Sequence, residues 1–350
     1  MVHLQTLSAV RNGLQDAGVV EPLSLEGTNI NSVEPLTQNA VRRLCEALDS
    51  AGIRYCHWKS NDVLERSASG ENDLDLLVSR ADGARFAEIL HRLGFKQAQA
   101  PAGKQMPGVL DYYGCDLESD RLLHVHAHFQ LILGHDMTKS YSLPIEGVYL
   151  ESAVQGDLFR VPDTDLEFIV FVIRMVLKHS TWDTMLIKHG RLSAAEQREL
   201  AYLQARVDEG RVAALLQEHL PYFQPDLFER CLQALEPGQP AWERIRTGHR
   251  LQTALKPYTR RSRFQDTTLK LWRRLAWGLQ RRLAGHVPKR RLMAGGAVIA
   301  IVGGDGAGKT TVVDELYSWL SSDFDTIQVH MGKPPWSRTT NVVRGALSLG

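Results

Sequence analysis

The residues with the most specific chemical signature form a glycine-rich loop. Residues 303–310 read GGDGAGKT and satisfy the pattern G-x-x-x-x-G-K-[ST]. In such a loop the glycines turn backbone N–H groups onto phosphate oxygens, Lys309 reaches the β- and γ-phosphates, and the Thr310 hydroxyl coordinates magnesium. The preceding run AVIAIV predicts a buried strand, and the following VVDELYSWL predicts a helix. We therefore expect ATP and Mg²⁺ to bind here, and a glycine-rich turn without a ligand is the alternative.

Over residues 295–350 the sequence resembles the thymidylate kinase family, whose loop has the form G-x-[DE]-G-x-G-K-T-T. The matching residues are Gly303, Asp305, Gly306, Gly308, Lys309, Thr310 and Thr311. The resemblance implies a P-loop kinase domain in which Asp305 contacts the sugar of the phosphate acceptor. A kinase of this family needs roughly 200 residues, whereas 350 − 310 = 40 residues follow Thr310. The sequence thus predicts the N-terminal part of a kinase domain, which binds ATP but transfers little phosphate by itself.

A second group of charged residues lies in the first half of the chain. Asp73 and Asp75 open the predicted strand DLDLLV. The two-residue period of a strand puts both carboxylates on one face, about 6.5–7 Å apart. Paired carboxylates hold divalent cations, so this strand predicts a site for two magnesium ions. A solvated strand end or a helix cap is the alternative interpretation.

The surrounding stretch, HWKSNDVLERSASGENDLDLLV, resembles the nucleotidyltransferase superfamily pattern of a strand, a small-residue turn and a D-h-D strand. The resemblance implies that Lys59 and Ser60 mark the turn that touches triphosphate, and that Asp73 and Asp75 ligate metal. Ser60 stands where the turn glycine is expected, which makes the loop less permissive.

Three alternating histidines follow on a further predicted strand, LHVHAHF. The resemblance implies a third carboxylate on such a strand, and His124 occupies the expected position. His126 and His128 share its face because side chains two apart on a strand point together. We interpret the run as a polar core or substrate-facing surface, with a zinc site as the alternative.

Local patterns indicate the elements that hold these groups. Apolar residues at helical spacing in VRRLCEALDSAG predict a helix, and Pro162-Asp163 opens a long apolar helix, 164–179. Near its end, Arg174, Lys178 and His179 are candidates to face a cleft. Ser193 and Glu196 form a predicted capping box, and Pro225 suits a first helical position.

The predicted fold class is α/β, with a nucleotidyltransferase-like α/β domain, a helical region and the start of a P-loop NTPase domain. Five segments follow from this division: a flexible arm 1–36, the α/β domain 37–150, the helical domain 151–255, a basic amphipathic linker 256–294 and the P-loop part 295–350.

Charge is concentrated in the linker. Residues 256–291 contain 12 Lys or Arg and one acid, Asp266, although the whole chain has a formal charge of only +1. In the predicted helix 268–283 one face carries Trp272, Leu275, Ala276, Leu279 and Leu283, and the opposite face carries Lys270, Arg274, Trp277 and Arg281. An anionic partner, either a membrane surface or nucleic acid, is one interpretation, and a solvated face is the other.

Composition narrows the function classes. Hydrophobic residues make up 43% of the chain, which excludes wholesale disorder, and no apolar run reaches the roughly 18 residues of a membrane span. The start lacks a signal-peptide pattern and the four cysteines lack CxxC spacing, so we expect a cytoplasmic protein with reduced thiols.

The preferred function is an ATP-binding phosphotransferase resembling thymidylate kinase, fused to a nucleotidyltransferase-like module, with a nucleotide and a small-molecule acceptor as partners. One alternative is a nucleotidyltransferase that acts on a small molecule and carries a vestigial P-loop segment. The other is a nucleic-acid or membrane-surface binding protein that acts through the basic helix.

Overall fold

The computed structural model describes residues 39–101, 103–180, 191–283 and 288–329. These residues form two compact units. The larger unit comprises the described residues up to 283 together with 292–295, and the smaller unit comprises 288–291 and 296–329. The sequence boundary near residue 150 falls inside the larger unit. The predicted arm, 1–36, and residues 330–350 lie outside the described residues.

Strands and helices alternate in the first half of the larger unit, and helices follow, so the predicted α/β class is confirmed. The strands are β1 (Tyr55–His57), β2 (Leu74–Val78), β3 (Lys96–Gln99), β4 (Val109–Asp116), β5 (Arg121–His128), β6 (Leu131–Leu133), β7 (Tyr141–Leu143), β8 (Val154–Gln155), β9 (Arg160–Val161) and β10 (Arg291–Leu292). The α-helices are α1 (Ala40–Ser50), α2 (Leu64–Ala68), α3 (Gly83–Arg92), α4 (Glu146–Glu151), α5 (Thr164–His179), α6 (Ala194–Gln204), α7 (Glu209–His219), α8 (Pro225–Leu235), α9 (Ala241–Ala254), α10 (Arg263–Leu283) and α11 (Lys309–Leu320).

A mixed sheet with the order β1-β2-β5-β4-β3 forms the centre of the larger unit. The β2 and β5 strands pair in parallel, whereas β1 with β2, β4 with β5, and β3 with β4 are antiparallel. In this register Asp75 lies opposite His126 on one side, and Asp111 lies opposite the same histidine on the other. The topology therefore brings residues from β2, β4 and β5 into one lateral row.

The two faces of the sheet have different partners. Leu74, Leu76 and Val78 of β2 belong to a hydrophobic cluster that also contains the buried residues of α1 and α3. Leu77 belongs instead to a second cluster, which is built largely from the helical region. Side chains alternate along a strand, so Asp75 shares the face of Leu77. The row formed by Asp75, His126 and Asp111 therefore lies on the side of the sheet that faces the helical region, not on the side covered by α1 and α3.

The helical region is organised around α5, in which nearly every residue is buried. The Asp163 carboxylate caps this helix by accepting a hydrogen bond from the Asp165 amide, and α6, α7, α8 and α9 pack against it. The predicted capping box of Ser193 and Glu196 is confirmed at the start of α6, and Pro225 is the first residue of α8. No helix in the described ranges is both long and apolar enough to cross a bilayer.

The smaller unit differs from the sequence prediction at its first element. The helix after the glycine-rich loop is confirmed as α11, but the buried strand predicted for residues 297–302 is wrong. Val298 is 96% exposed and Val302 is 82% exposed. A strand is stable only when neighbouring strands take up its backbone hydrogen bonds, and no strand or bridge in the described part of the chain pairs with residues 297–302.

Candidate functional site

A polar cavity of about 360 Å³ lies on the helical side of the sheet. It brings together the predicted carboxylates of Asp73 and Asp75 and the predicted turn residue Ser60. The other lining residues are His57, Ser67, Glu71 and Asn72. The volume falls in the range of small-molecule pockets, about 300–1,000 Å³.

Asp75 is the most heavily contacted carboxylate of the cavity. Its Oδ1 lies 2.8 Å from Lys59 Nζ, 3.1 Å from His126 Nδ1 and 3.6 Å from His128 Nε2. Burial by itself would raise the pKa of Asp75, but the Lys59 ammonium and the bonds from the two histidines hold it well below its usual range. Asp75 is therefore an anion with its negative charge directed toward these three side chains.

The same residues form a potential metal centre. Asp75, His126 and His128 each offer one ligand atom, and the three atoms lie within 4.8 Å of one another. Burial lowers the pKa of His128 to about 3, which leaves a neutral imidazole able to donate a lone pair. One carboxylate with two imidazoles suits Mn²⁺ or Zn²⁺, whereas Mg²⁺ favours oxygen ligands such as the Asp73 and Asp75 carboxylates.

His124 bridges two carboxylates at the edge of the cavity. Its Nδ1 lies 2.9 Å from Asp73 Oδ1, and its Nε2 lies 2.7 Å from Asp111 Oδ1. Burial opposes protonation of the ring, but the hydrogen bonds to both carboxylates outweigh it and raise the pKa of His124 to about 9. The ring also stacks on Tyr113, with centroids 4.5 Å apart. His124 is thus an imidazolium that holds Asp73 and Asp111 in place.

Asp111 is the residue that the sequence interpretation missed. The sequence predicts a third carboxylate on the histidine strand, β5, where His124 stands, whereas Asp111 lies on the adjacent strand β4 with its Oδ1 2.7 Å from His124 Nε2. Asp111 is only 9% exposed. The signal available in the sequence is an aspartate set between Leu110 and Tyr112 in a strand-like run, which is an unusual place for an acid.

The turn after β1 has a backbone conformation that glycine adopts more readily than serine. Ser60 has φ 58° and ψ 38°, in the left-handed region, and the turn is held from the helical side. The Ser60 amide donates to Glu199 Oε1 at 3.0 Å, and Arg174 Nη2 donates to the same oxygen at 2.8 Å. Tyr149 donates its hydroxyl proton to the Trp58 carbonyl at 2.8 Å. The amide and the guanidinium therefore already converge on one carboxylate oxygen, and they form an anion-binding pair.

The remaining cations at the end of α5 are paired with α6. Lys178 Nζ lies 2.9 Å and His179 Nε2 lies 3.2 Å from Glu196 Oε1. Although burial opposes it, these contacts and the Ser193 amide hold the pKa of Glu196 far below its usual value. Arg174, one of the three residues predicted to face a cleft, is therefore linked to the turn at Ser60, because both donate to Glu199.

The glycine-rich loop lies in the smaller unit and leads directly into α11. Gly306 and Gly308 have φ of 80° and 74°, a conformation that glycine adopts without strain, and Gly308 caps the helix that begins at Lys309. Lys309 donates to the Gly304 carbonyl, and its Nζ lies 4.0 Å from Asp305 Oδ1. The other predicted loop residues, Gly303, Thr310 and Thr311, are exposed. The loop has the turn and the helix N-terminus of a phosphate site, without its preceding strand.

No known protein family, curated protein or solved structure matches this chain.

Proposed function

We propose that the chain is an ATP-using transferase whose larger unit binds a nucleotide triphosphate with a divalent metal ion. The observation that carries the proposal is the convergence of Asp73, Asp75 and Asp111 beside the left-handed turn at Ser60. Carboxylates from neighbouring strands hold metal ions, and the backbone amides of such a turn donate hydrogen bonds to anionic oxygens. The reaction class that combines these two elements with an acceptor is nucleotidyl transfer.

The residues of the cavity have distinct roles in this proposal. Asp73 and Asp75 hold Mg²⁺, which neutralises phosphate charge when it is bound. The Ser60 amide and Arg174 bind a phosphate oxygen in place of the Glu199 carboxylate oxygen to which both donate. Lys59, beside Asp75, adds a positive charge. In the transfer, a hydroxyl oxygen of the acceptor bonds to the α-phosphorus, the bond to the bridging β-phosphate oxygen breaks, and pyrophosphate leaves. The hydroxyl proton passes to solvent, and Asp111 holds His124 against Asp73.

The second candidate function is that of an ATP-binding phosphotransferase resembling thymidylate kinase, located in the smaller unit. It is favoured by the positive φ of Gly306 and Gly308 immediately before α11, with Lys309 at the first helical position. Exposed N–H groups at a helix start bind phosphate, and Lys309 adds a positive charge. The acceptor in this proposal is a nucleoside monophosphate.

Calorimetric titration of the full chain with Mn²⁺ and a non-hydrolysable ATP analogue separates the two sites. We expect Asp73→Asn with Asp75→Asn to remove one binding event and Lys309→Ala to remove another. Two exposed residues give matched controls, Asp157→Asn and Lys256→Ala, and both should bind as the unaltered chain does. Saturable binding at full stoichiometry in the triple variant would show that neither site binds nucleotide.

Product analysis separates the two reactions. Pyrophosphate release with small hydroxyl-bearing acceptors should depend on Asp73 and Asp75 and be insensitive to Lys309→Ala. ADP release with thymidine monophosphate should be negligible in the 350-residue chain. Pyrophosphate release that persists in the Asp73→Asn, Asp75→Asn variant would exclude the larger unit as a nucleotidyltransferase, and robust ADP release lost on Lys309→Ala would favour the kinase instead.

A further inference from the structure

The helix α10 displays a continuous apolar face to solvent. Leu271 is 54%, Trp272 68%, Leu275 69% and Leu279 60% exposed, and Phe264 near the start of the helix is 78% exposed. Residues at these spacings fall on one side of a helix of 3.6 residues per turn. A helix of 21 residues is about 32 Å long, so the face is large compared with the scattered apolar residues of an ordinary surface.

The opposite side of α10 is fixed to the larger unit, which sets the direction of the apolar face. Arg273 donates to the Met137 carbonyl, and the Ser140 hydroxyl donates to Asp266. Just before the helix, Arg261 Nη1 donates to the Thr138 carbonyl at 3.3 Å. These bonds to one connecting segment hold the helix by its polar side, and the leucines and Trp272 face away from that attachment.

Positive charge accompanies the exposed apolar face. The helix contains six Lys or Arg and one aspartate, a net charge of 6 − 1 = +5. At about 100° per residue, Arg274 lies beside the edge of the apolar stripe next to Leu271, Lys270 lies toward the opposite face, and the exposed Arg282 lies within the stripe at its C-terminal end. An apolar stripe bordered by cations is the pattern of helices that lie in the plane of a bilayer surface, with apolar side chains among the acyl chains and cations on lipid phosphates.

We propose that α10 binds the surface of a bilayer that contains anionic phospholipids, and that it does so independently of the nucleotide sites. The positive charge and the apolar surface of α10 favour a bilayer over the two other partners considered, a second copy of the chain and nucleic acid. A second copy of the chain would bring an equal positive charge against α10, which opposes self-association. Nucleic acid would satisfy the cations, but its phosphates and sugars cannot cover the side chains of Leu271, Leu275 and Leu279. A bilayer with anionic headgroups satisfies both the charge and the apolar area.

Vesicle co-sedimentation of the full chain tests this. We expect the unaltered chain to bind phosphatidylcholine vesicles containing about 30% phosphatidylserine, and to bind pure phosphatidylcholine at least about tenfold more weakly. Leu275→Gln with Leu279→Gln should weaken binding to the anionic vesicles by about tenfold or more. Arg274→Gln with Arg282→Gln should weaken it by a similar factor and reduce its dependence on salt. Tyr222→Gln, at an exposed aromatic residue on another surface, should leave binding unchanged.

The alternatives give different results. Each variant is first checked for cooperative thermal unfolding, so that loss of binding is measured on folded protein. Failure of the folded unaltered chain to sediment with anionic vesicles at low salt would overturn the proposal. Vesicle binding that survives the two leucine substitutions would also overturn it, because the apolar face would then have no role. Oligonucleotide binding lost on the arginine substitutions, without any vesicle binding, would assign the cations to nucleic acid, and a dimer abolished by the leucine substitutions would assign the face to a second copy.

Discussion

Glu167 lies in the first half of α5 with only 5% of its surface exposed, and its Oε1 accepts no hydrogen bond from the described residues. Burial raises the pKa of its carboxyl from 4.5 to about 8, and a hydrogen bond from Asn61 and the charge of Arg174 only partly oppose the shift. At neutral pH the group is therefore protonated in the folded protein and ionised in the unfolded chain. This difference makes the stability of the protein depend on pH.

The sign and size follow from the two pKa values. The pKa of Glu167 is higher in the folded protein than in the unfolded chain. The stability that protonated Glu167 contributes is therefore fully present below pH 4.5 and is lost as the pH rises through 8. One pH unit corresponds to about 1.4 kcal/mol, so the free energy of unfolding falls by about 3 kcal/mol between pH 4.5 and pH 7. The full loss above pH 8 is about 5 kcal/mol.

Glu167→Gln removes the titration while keeping the shape of the side chain. Urea unfolding between about pH 5 and pH 9 gives the unfolding free energy of both proteins at each pH. Subtracting one value from the other cancels the titration of all groups that the two proteins share. We expect that difference to grow with pH in favour of the glutamine variant. Glu229→Gln, at an exposed position of α8, is the control and should show no trend. A Glu167→Gln difference that is constant with pH would refute the reasoning.

Three further substitutions test the packing around the site. Glu199→Ala leaves the Arg174 guanidinium and the Ser60 amide without their shared acceptor and should cost about 3 kcal/mol of unfolding free energy, measured by chemical denaturation. Ser60→Gly should be nearly neutral, because glycine accepts the left-handed conformation at no steric cost but loses more chain entropy on folding. Gly114→Ala should destabilise by about 1–3 kcal/mol, because its Cβ would lie 2.7 Å from ring atoms of Phe95, and the shift in melting temperature measures this.

A second substitution serves as the comparison for each of these three variants. Glu199→Gln keeps an acceptor oxygen and should cost less than the alanine change, whereas equal losses would show that the carbonyl oxygen has no role. Ser60→Val should destabilise by about 2 kcal/mol, and a neutral valine would contradict the left-handed geometry. Gly147→Ala lies in α4 with open space at its Cβ and should stabilise slightly, unlike Gly114→Ala.

The parts of the structure that the sequence predicted are those fixed by neighbouring residues. The helix α1 follows from the Asn39 cap and from apolar residues at helical spacing, all of which are local. Asp73 and Asp75 line one cavity, as their spacing predicts, although β2 begins at Leu74. Asp111 joins them only through the antiparallel register of β4 with β5, and no local pattern specifies which strand lies next to which.

The mistaken strand at residues 297–302 has a related cause. Its apolar composition is typical of a buried central strand. Composition indicates that a segment can be buried, but it does not specify a neighbouring strand with which the segment would pair. The glycines and lysine of the following loop, in contrast, set their own backbone path, so a helix directly after the loop was predictable, and it begins at Lys309.

The hydrogen bond from the Ser60 amide to Glu199 joins residues 139 positions apart. During synthesis at about 5–20 residues per second, the ribosome needs roughly 7–28 s to add the segment between them. The first strands and α1 have emerged long before α6 supplies this acceptor, so the turn remains without its partner throughout that interval. A nascent chain therefore completes the hydrogen bonding of this turn only after α6 in the helical region has been translated.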